Sequence, residues 1–129
     1  MKVLFVCTAN IHRSRFAEEV FNHLAKKGDS AHQAFSAGLR VGDYSFRTIY
    51  YPALDNLKKF NITPLRPSAH SIHIDDVDLS EYGRIICMDE GEHKPMVLAN
   101  PNLKNMSPLI FSLLTCPLIP SVPKYFISI

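Results

Sequence analysis

The chain is short of cysteine, of net charge and of uninterrupted apolar sequence, and each shortage narrows what it is built to do. Only three cysteines, Cys7, Cys87 and Cys116, occur in 129 residues. None stands at metal-ligand spacing from another, so no zinc site is suggested. So few thiols, with an apolar start at residues 3–6 too short for a targeting segment, point to a reducing, cytoplasmic compartment. The net charge is +2, and the pairs Lys26-Lys27 and Lys58-Lys59 fit solvated helix ends. They form no basic stripe, and nucleic acid is not an expected partner. The longest uncharged stretch, residues 105–123, is broken by Pro108, Pro117, Pro120 and Pro123 and by Ser107, Ser112, Thr115 and Ser121, so it offers no membrane span. Aspartate also runs out: none follows Asp89. An apolar fraction of 47% in 129 residues suits one soluble domain over 1–129 with a real core, and leaves no room for a second.

What is present is concentrated in residues 2–19, K-V-L-F-V-C-T-A-N-I-H-R-S-R-F-A-E-E. A β-branched-rich apolar run ends at Cys7, five residues separate Cys7 from Arg13, and Phe16, Val20, Phe21 and Leu24 then recur at helical spacing. Strand, loop and helix in that order let the loop curl so that the backbone N–H groups of residues 8–13 point inward at a helix N-terminus. Thr8, Ala9, Asn10, Ile11, His12 and Arg13 are thus the expected binders of a phosphate-sized anion. The same amides and the Arg13 guanidinium favour a thiolate, which makes Cys7 the candidate nucleophile. Asn10 is of a type that tolerates a left-handed backbone, and Ser14 suits a helix cap or first turn.

These residues resemble the phosphate loop of the low-molecular-weight protein tyrosine phosphatase family, C-x-x-N-x-x-R-S after an apolar strand. Cys7, Asn10, Ile11, Arg13 and Ser14 match it, as do Ala17 and Glu18; Ser36-Ala37-Gly38 and Ile85-Ile86-Cys87-Met88-Asp89 resemble later family segments. The likeness covers about residues 1–95. It implies that Cys7 attacks phosphorus to form a phosphocysteine, that Arg13 and the loop amides hold the equatorial oxygens, that Ser14 donates to the thiolate, and that no metal or other cofactor is needed. Asn10, Ser14 and Ser36 would support the loop, with Ser36 a partner of Asn10 and His70 or His73 in a similar role. Two departures stand out at the loop. His12 replaces a frequent second cysteine, so an oxidised Cys7 has no resolving thiol beside it, and a solvent-facing His12 is the simpler expectation. Arg15 replaces a common proline and is expected to bring positive charge to the mouth of the site.

The largest departure is the general acid. The family takes it from a late Asp-Pro pair, and Asn100-Pro101 and Ser121-Val122-Pro123 cannot carry a proton to a leaving group. Asp43, Asp89, Glu90, Glu92 and His93 qualify by residue type; Asp89 and Glu90 most simply cap and charge a helix start, and the acid is left unassigned.

Strands at 2–7, about 32–36 and 84–88, alternating with helices at about 14–27, 47–60 and 90–99, predict an α/β three-layer sandwich. Its small parallel sheet of about four strands is flanked by helices, with the phosphate loop after strand 1. Gly28 is expected to stop the first helix and Pro52 to start or kink the second. Residues 105–129 read as a diverged tail, with a strand or short helix at 109–114 and an edge strand at 124–129.

Three functions follow. The first is a cysteine-dependent phosphatase acting on phosphotyrosine or small phosphate monoesters, with a phosphorylated protein or small ester as partner and inorganic phosphate or other oxyanions as inhibitors. The second is a catalytically impaired relative that binds phosphate or phosphoproteins without the acid. The third is an arsenate reductase-like protein, which needs a disulfide relay that Cys87 and Cys116, far apart in sequence, serve poorly.

Overall fold

The computed structural model describes residues 1–42 and 46–103, together with the backbone of 109–111, 115–116 and 119–123. Four parallel strands, β1 (Lys2–Cys7), β2 (Gln33–Gly38), β3 (Arg84–Cys87) and β4 (Leu109–Phe111), form one sheet in the order β2-β1-β3-β4. β1 is therefore central, paired with β2 from Lys2↔Gln33 to Cys7↔Gly38 and with β3 from Val3↔Arg84 to Val6↔Cys87. Two short strands, β5 (Thr115–Cys116) and β6 (Ile119–Pro123), pair antiparallel as a separate hairpin.

Alternation along β1 divides the core in two. Val3, Phe5 and Cys7 face α1 (Arg13–Lys27) and α2 (Tyr51–Lys59), where they pack with Phe16, Val20, Phe21, Ala53 and Leu57. Leu4 and Val6 face the other way, with Ile74, Ile85, Cys87, Leu103 and Val97 of α3 (Glu90–Leu98). Both faces of a parallel sheet must be covered, and this arrangement covers them as the expected three layers. Because β1 is buried on both sides, it reads as a continuous apolar run rather than an alternating one.

Helix ends follow local chemistry. Pro52 lies in the first turn of α2 and begins the helix without kinking it, its fixed φ and missing N–H being harmless there. α1 ends at Lys27, but the left-handed residue is Asp29 (φ 54°) rather than Gly28, and Ser30 N donates to Ala25 O at 2.8 Å to close the turn. Asp89 caps α3 by accepting from Glu92 N at 2.8 Å. No helix among the described residues is long and apolar enough to cross a membrane. The strand expected near 109 is β4, whereas 124–129 lie outside the described residues.

Candidate active site

The end of β1 places Cys7 at the carboxyl edge of the central strand, where open parallel sheets bind ligands. Beyond it the loop is fastened from both sides. Leu39 N donates to Cys7 O and Arg40 N to Thr8 O, each at 2.9 Å, so the chain after β2 continues the ladder onto the loop. The carbonyl of Ile11 accepts from Tyr50 N at 2.6 Å. Gly38 lies so close under the loop that a Cβ there would stand 2.8 Å from Thr8 O and 3.1 Å from the Ala9 carbonyl carbon.

Asn10 is the internal brace. Its φ of 58° turns the loop, a geometry Asn accepts more readily than other non-glycine residues. Its Nδ2 donates to Ser14 Oγ at 2.8 Å, and its Oδ1 accepts from Ile72 N at 3.0 Å. Its carbonyl accepts from Ser71 Oγ at 3.2 Å. Ser14 Oγ lies 2.9 Å from Cys7 Sγ, and Asn10 N donates to the same sulfur at 3.3 Å. Since Ser14 already accepts from Asn10 Nδ2, its own hydrogen is available to the sulfur, which then receives two hydrogen bonds. Cys7, Asn10 and Ser14 are all buried. Ser14 is not the cap of α1; His12 holds that position without a side-chain bond, and the first turn contains no acidic residue. The helix N-terminus thus keeps its partial positive charge toward the loop.

Ser36 does not reach Asn10. The pairing Phe5↔Ser36 sets it two residues below the end of β1, facing α1, and its hydroxyl donates to Glu18 Oε1 at 2.7 Å. Arg15, expected at the mouth, is 1% exposed and runs inward, donating to Glu18 Oε2 at 2.6 Å and to the Arg66 carbonyl at 2.5 Å. Arg66 closes the network from the far side, donating to both oxygens of Glu18 at 2.7 and 2.9 Å. Glu19, buried beside Glu18, has its carboxyl pushed above the usual range by burial and by that neighbour. His12 is half-buried against Tyr50, ring centroids 5.8 Å apart, rather than facing solvent; burial and then the Arg13 charge hold its pKa below the ordinary value.

At the mouth stands a second group of side chains. The Glu92 carboxylate, from the first turn of α3, makes an ion pair with Arg13 Nη2 and accepts from Thr8 Oγ1. His93 Nε2 is 2.8 Å from the same carboxylate oxygen. Because His93 Nδ1 accepts from Asp89 N at 3.1 Å, its hydrogen belongs on Nε2, aimed at Glu92. His93 is fully buried, and burial followed by Arg13 lowers its pKa, so the ring is neutral at pH 7. Thr8 and Arg13 together pull the Glu92 carboxyl down to about 2.

The model of the low molecular weight phosphotyrosine protein phosphatase family matches residues 2–105. The chain belongs to this family. Among solved structures it is similar to YfkJ from Bacillus subtilis, with 30% identity, a TM-score of 0.73, and 86% of this chain and 69% of that one covered. A low molecular weight protein tyrosine phosphatase from T. tengcongensis matches at 25% identity and a TM-score of 0.74, covering 86% and 72% of the two chains. An arginine phosphatase of Drosophila shares the fold at 24% identity, a TM-score of 0.70, and 88% and 70% coverage. A search of curated proteins gave no match.

Within the family fold, the loop residues 7–14 lie together at the end of β1. The residues named for the acid do not. Asp43 lies outside the described residues, Asp89 caps α3, and Glu90 pairs with Lys94 at 3.8 Å. Asn100 donates to Asp75 Oδ1 at 3.0 Å, so Asn100-Pro101 serves a surface turn. Glu92 and His93 alone of that group touch the loop. His73 accepts from Asp75 N at 3.0 Å, and the loop support comes instead from its neighbours Ser71 and Ile72. Ser71 gave no signal in the sequence, since a serine in a polar turn is unremarkable until the fold brings it beneath the loop.

Proposed function

We propose that the protein is a cysteine-dependent phosphoric monoester hydrolase acting on phosphotyrosine or small aryl phosphates. The observation that carries this is the Cys7 sulfur at the floor of an anion-shaped loop, 2.9 Å from the Ser14 hydroxyl and 3.3 Å from the Asn10 amide. Both groups direct hydrogens at the sulfur and orient it as the nucleophile. The thiolate attacks phosphorus in line with the departing alcohol oxygen, while Arg13 and the inward amides hold the three equatorial oxygens. Water then attacks the phosphocysteine, releasing phosphate and regenerating the thiolate. An aromatic leaving group suits the rim, where Tyr50 and Tyr51 stack edge to face at 5.2 Å and both are exposed beside Ile11 and His12. Inorganic phosphate and related oxyanions act as inhibitors in this reading.

A second reading, phosphate binding with impaired turnover, is favoured by the acids. Among the described residues the only carboxylate on the loop is Glu92, and it is held ionised, a poor state from which to protonate a leaving group. An arsenate reductase relay is disfavoured because Cys87 lies on the opposite face of the sheet from Cys7, and burial pushes its thiol up to about 12.

The test is hydrolysis of p-nitrophenyl phosphate and of a phosphotyrosine peptide from pH 5 to 8 (about the range over which a thiolate and an acid titrate) by the wild type, Cys7→Ser and Arg13→Ala. Turnover by the wild type alone, on both substrates, establishes the hydrolase. Turnover of the activated ester alone, or phosphate binding without turnover, establishes the impaired relative. Turnover retained in Cys7→Ser overturns the cysteine mechanism.

A further inference from the structure

Glu92 contacts the one side chain of the loop that carries a fixed positive charge. Three donors from three different elements converge on its carboxylate: Arg13 from the start of α1, Thr8 from the loop and the buried His93 from α3. The neutral His93 is itself oriented by the Asp89 amide, so the carboxylate is positioned and not merely near. Arg13 and Glu92 are 79 residues apart in sequence, and both side chains remain partly exposed, at 32% and 42%. A guanidinium fork placed to grip a phosphoryl group is thus already bound to an oxyanion of the protein's own.

We propose that Glu92 is a specificity-determining residue of this site: its carboxylate takes the place of a phosphoryl oxygen on Arg13 and Thr8, and substrates that carry positive charge beside the phosphoryl group are the ones that displace it readily. The inference rests on the phosphate-loop reading above. A phosphoryl dianion entering the loop must take Arg13 from Glu92, which leaves a carboxylate beside the bound dianion. Like charges so close disfavour each other. A lysine or arginine next to a phosphotyrosine relieves that repulsion by pairing with the released carboxylate, whereas a neighbouring glutamate or aspartate adds to it. The protein therefore selects basic-flanked phosphopeptides although its own net charge is positive.

The experiment compares the full chain with Glu92→Gln, which keeps the shape and removes the charge, and with Glu92→Ala. Inorganic phosphate binding is measured by calorimetry, and kcat/KM is measured on two phosphotyrosine peptides that differ only in having lysines or glutamates beside the phosphotyrosine. Expected are phosphate affinity about tenfold tighter in both variants than in wild type, and a wild-type preference of about tenfold for the basic peptide that falls at least severalfold in Glu92→Gln. Equal or weaker phosphate binding in both variants overturns the inference while leaving the phosphatase reading intact. So does a peptide preference that survives the substitution. Phosphate binding by none of the three proteins overturns both. If phosphate binds but no peptide is turned over, competition of the two peptides against phosphate in the Cys7→Ser background supplies the same comparison, and equal competition by both overturns the inference.

Discussion

The floor and the mouth of the phosphate loop are built on opposite principles. At the floor, Cys7, Asn10 and Ser14 are buried and tied to one another and to Ser71 and Ile72 by hydrogen bonds of 2.8–3.3 Å. At the mouth, Arg13 and Glu92 are charged, half-exposed and joined by an ion pair between distant elements. Buried polar groups are costly to leave unpaired, so the floor is a rigid unit; exposed charges trade partners with water and ligand at little cost, so the mouth is free to exchange. The geometry of the proposed anion site and the charge proposed to select its occupant are therefore separable.

Changes to the network under the loop should break the fold before they touch the mouth. Glu18→Ala leaves Arg15 buried without its carboxylate and should cost about 3–5 kcal/mol, read as a fall in the urea midpoint. Asn10→Ala removes the bonds to Ser14 and Ile72 and places alanine at positive φ; a loss of about 2–3 kcal/mol is expected, with Asn10→Gly recovering the backbone part alone. Ser71→Ala gives up a hydroxyl shared at 3.2 Å between the carbonyls of Asn10 and Arg47, for about 1 kcal/mol. The smallest effect sharpens the contrast. Glu92→Gln should change stability at pH 7 by less than about 1 kcal/mol, as the pair is exposed.

Acid acts on the groups around the loop in two separate pH windows. The Glu92 carboxyl, normally at 4.5, is drawn down to about 2 by Thr8 and Arg13, so its contribution is present above pH 4.5 and is lost as pH falls toward 2. His93 and His12 have pKa values lowered from 6.5, which means that the unfolded chain takes up protons first and stability declines as pH drops below 6.5. Stability measured from pH 7 down should thus fall in two stages, and Glu92→Gln should flatten only the lower one. A variant curve that parallels the wild type throughout would place the acid sensitivity elsewhere.

What lies within the loop segment was legible in the sequence, and what docks onto it was not, for a physical reason. Cys7, Asn10, Arg13 and Ser14 are set by one short segment in which strand, turn and helix follow at fixed spacing, and the alternation that buries Cys7 toward α1 is local too. Parallel strands and helices at 2–7, 84–88 and 90–99 were predicted within a residue or two for the same reason. Contacts that depend on how separate segments dock are invisible to spacing. Ser36 sits one strand register too low for Asn10, Arg15 turns inward because Glu18 and the Arg66 carbonyl await it, and Glu92 reaches Arg13 only once α3 is laid beside the loop. Of the tail expected to diverge at 105–129, only the backbone of 109–111, 115–116 and 119–123 lies within the described set.

Gly38 shows what sets the scale of the whole arrangement. It pairs with Cys7, and the space a side chain would fill is taken by Val41 at 2.7 Å and by the loop's own Thr8 carbonyl at 2.8 Å. The loop therefore rests directly on backbone, with its height above the sheet gauged by strand spacing and not by the bulk of any residue. A methyl group added there would act as a shim, lifting the Thr8-Ala9 segment away from the sheet. Mouth residues can drift under selection for new substrates, but this contact leaves the curvature of the anion cradle almost no freedom to drift with them.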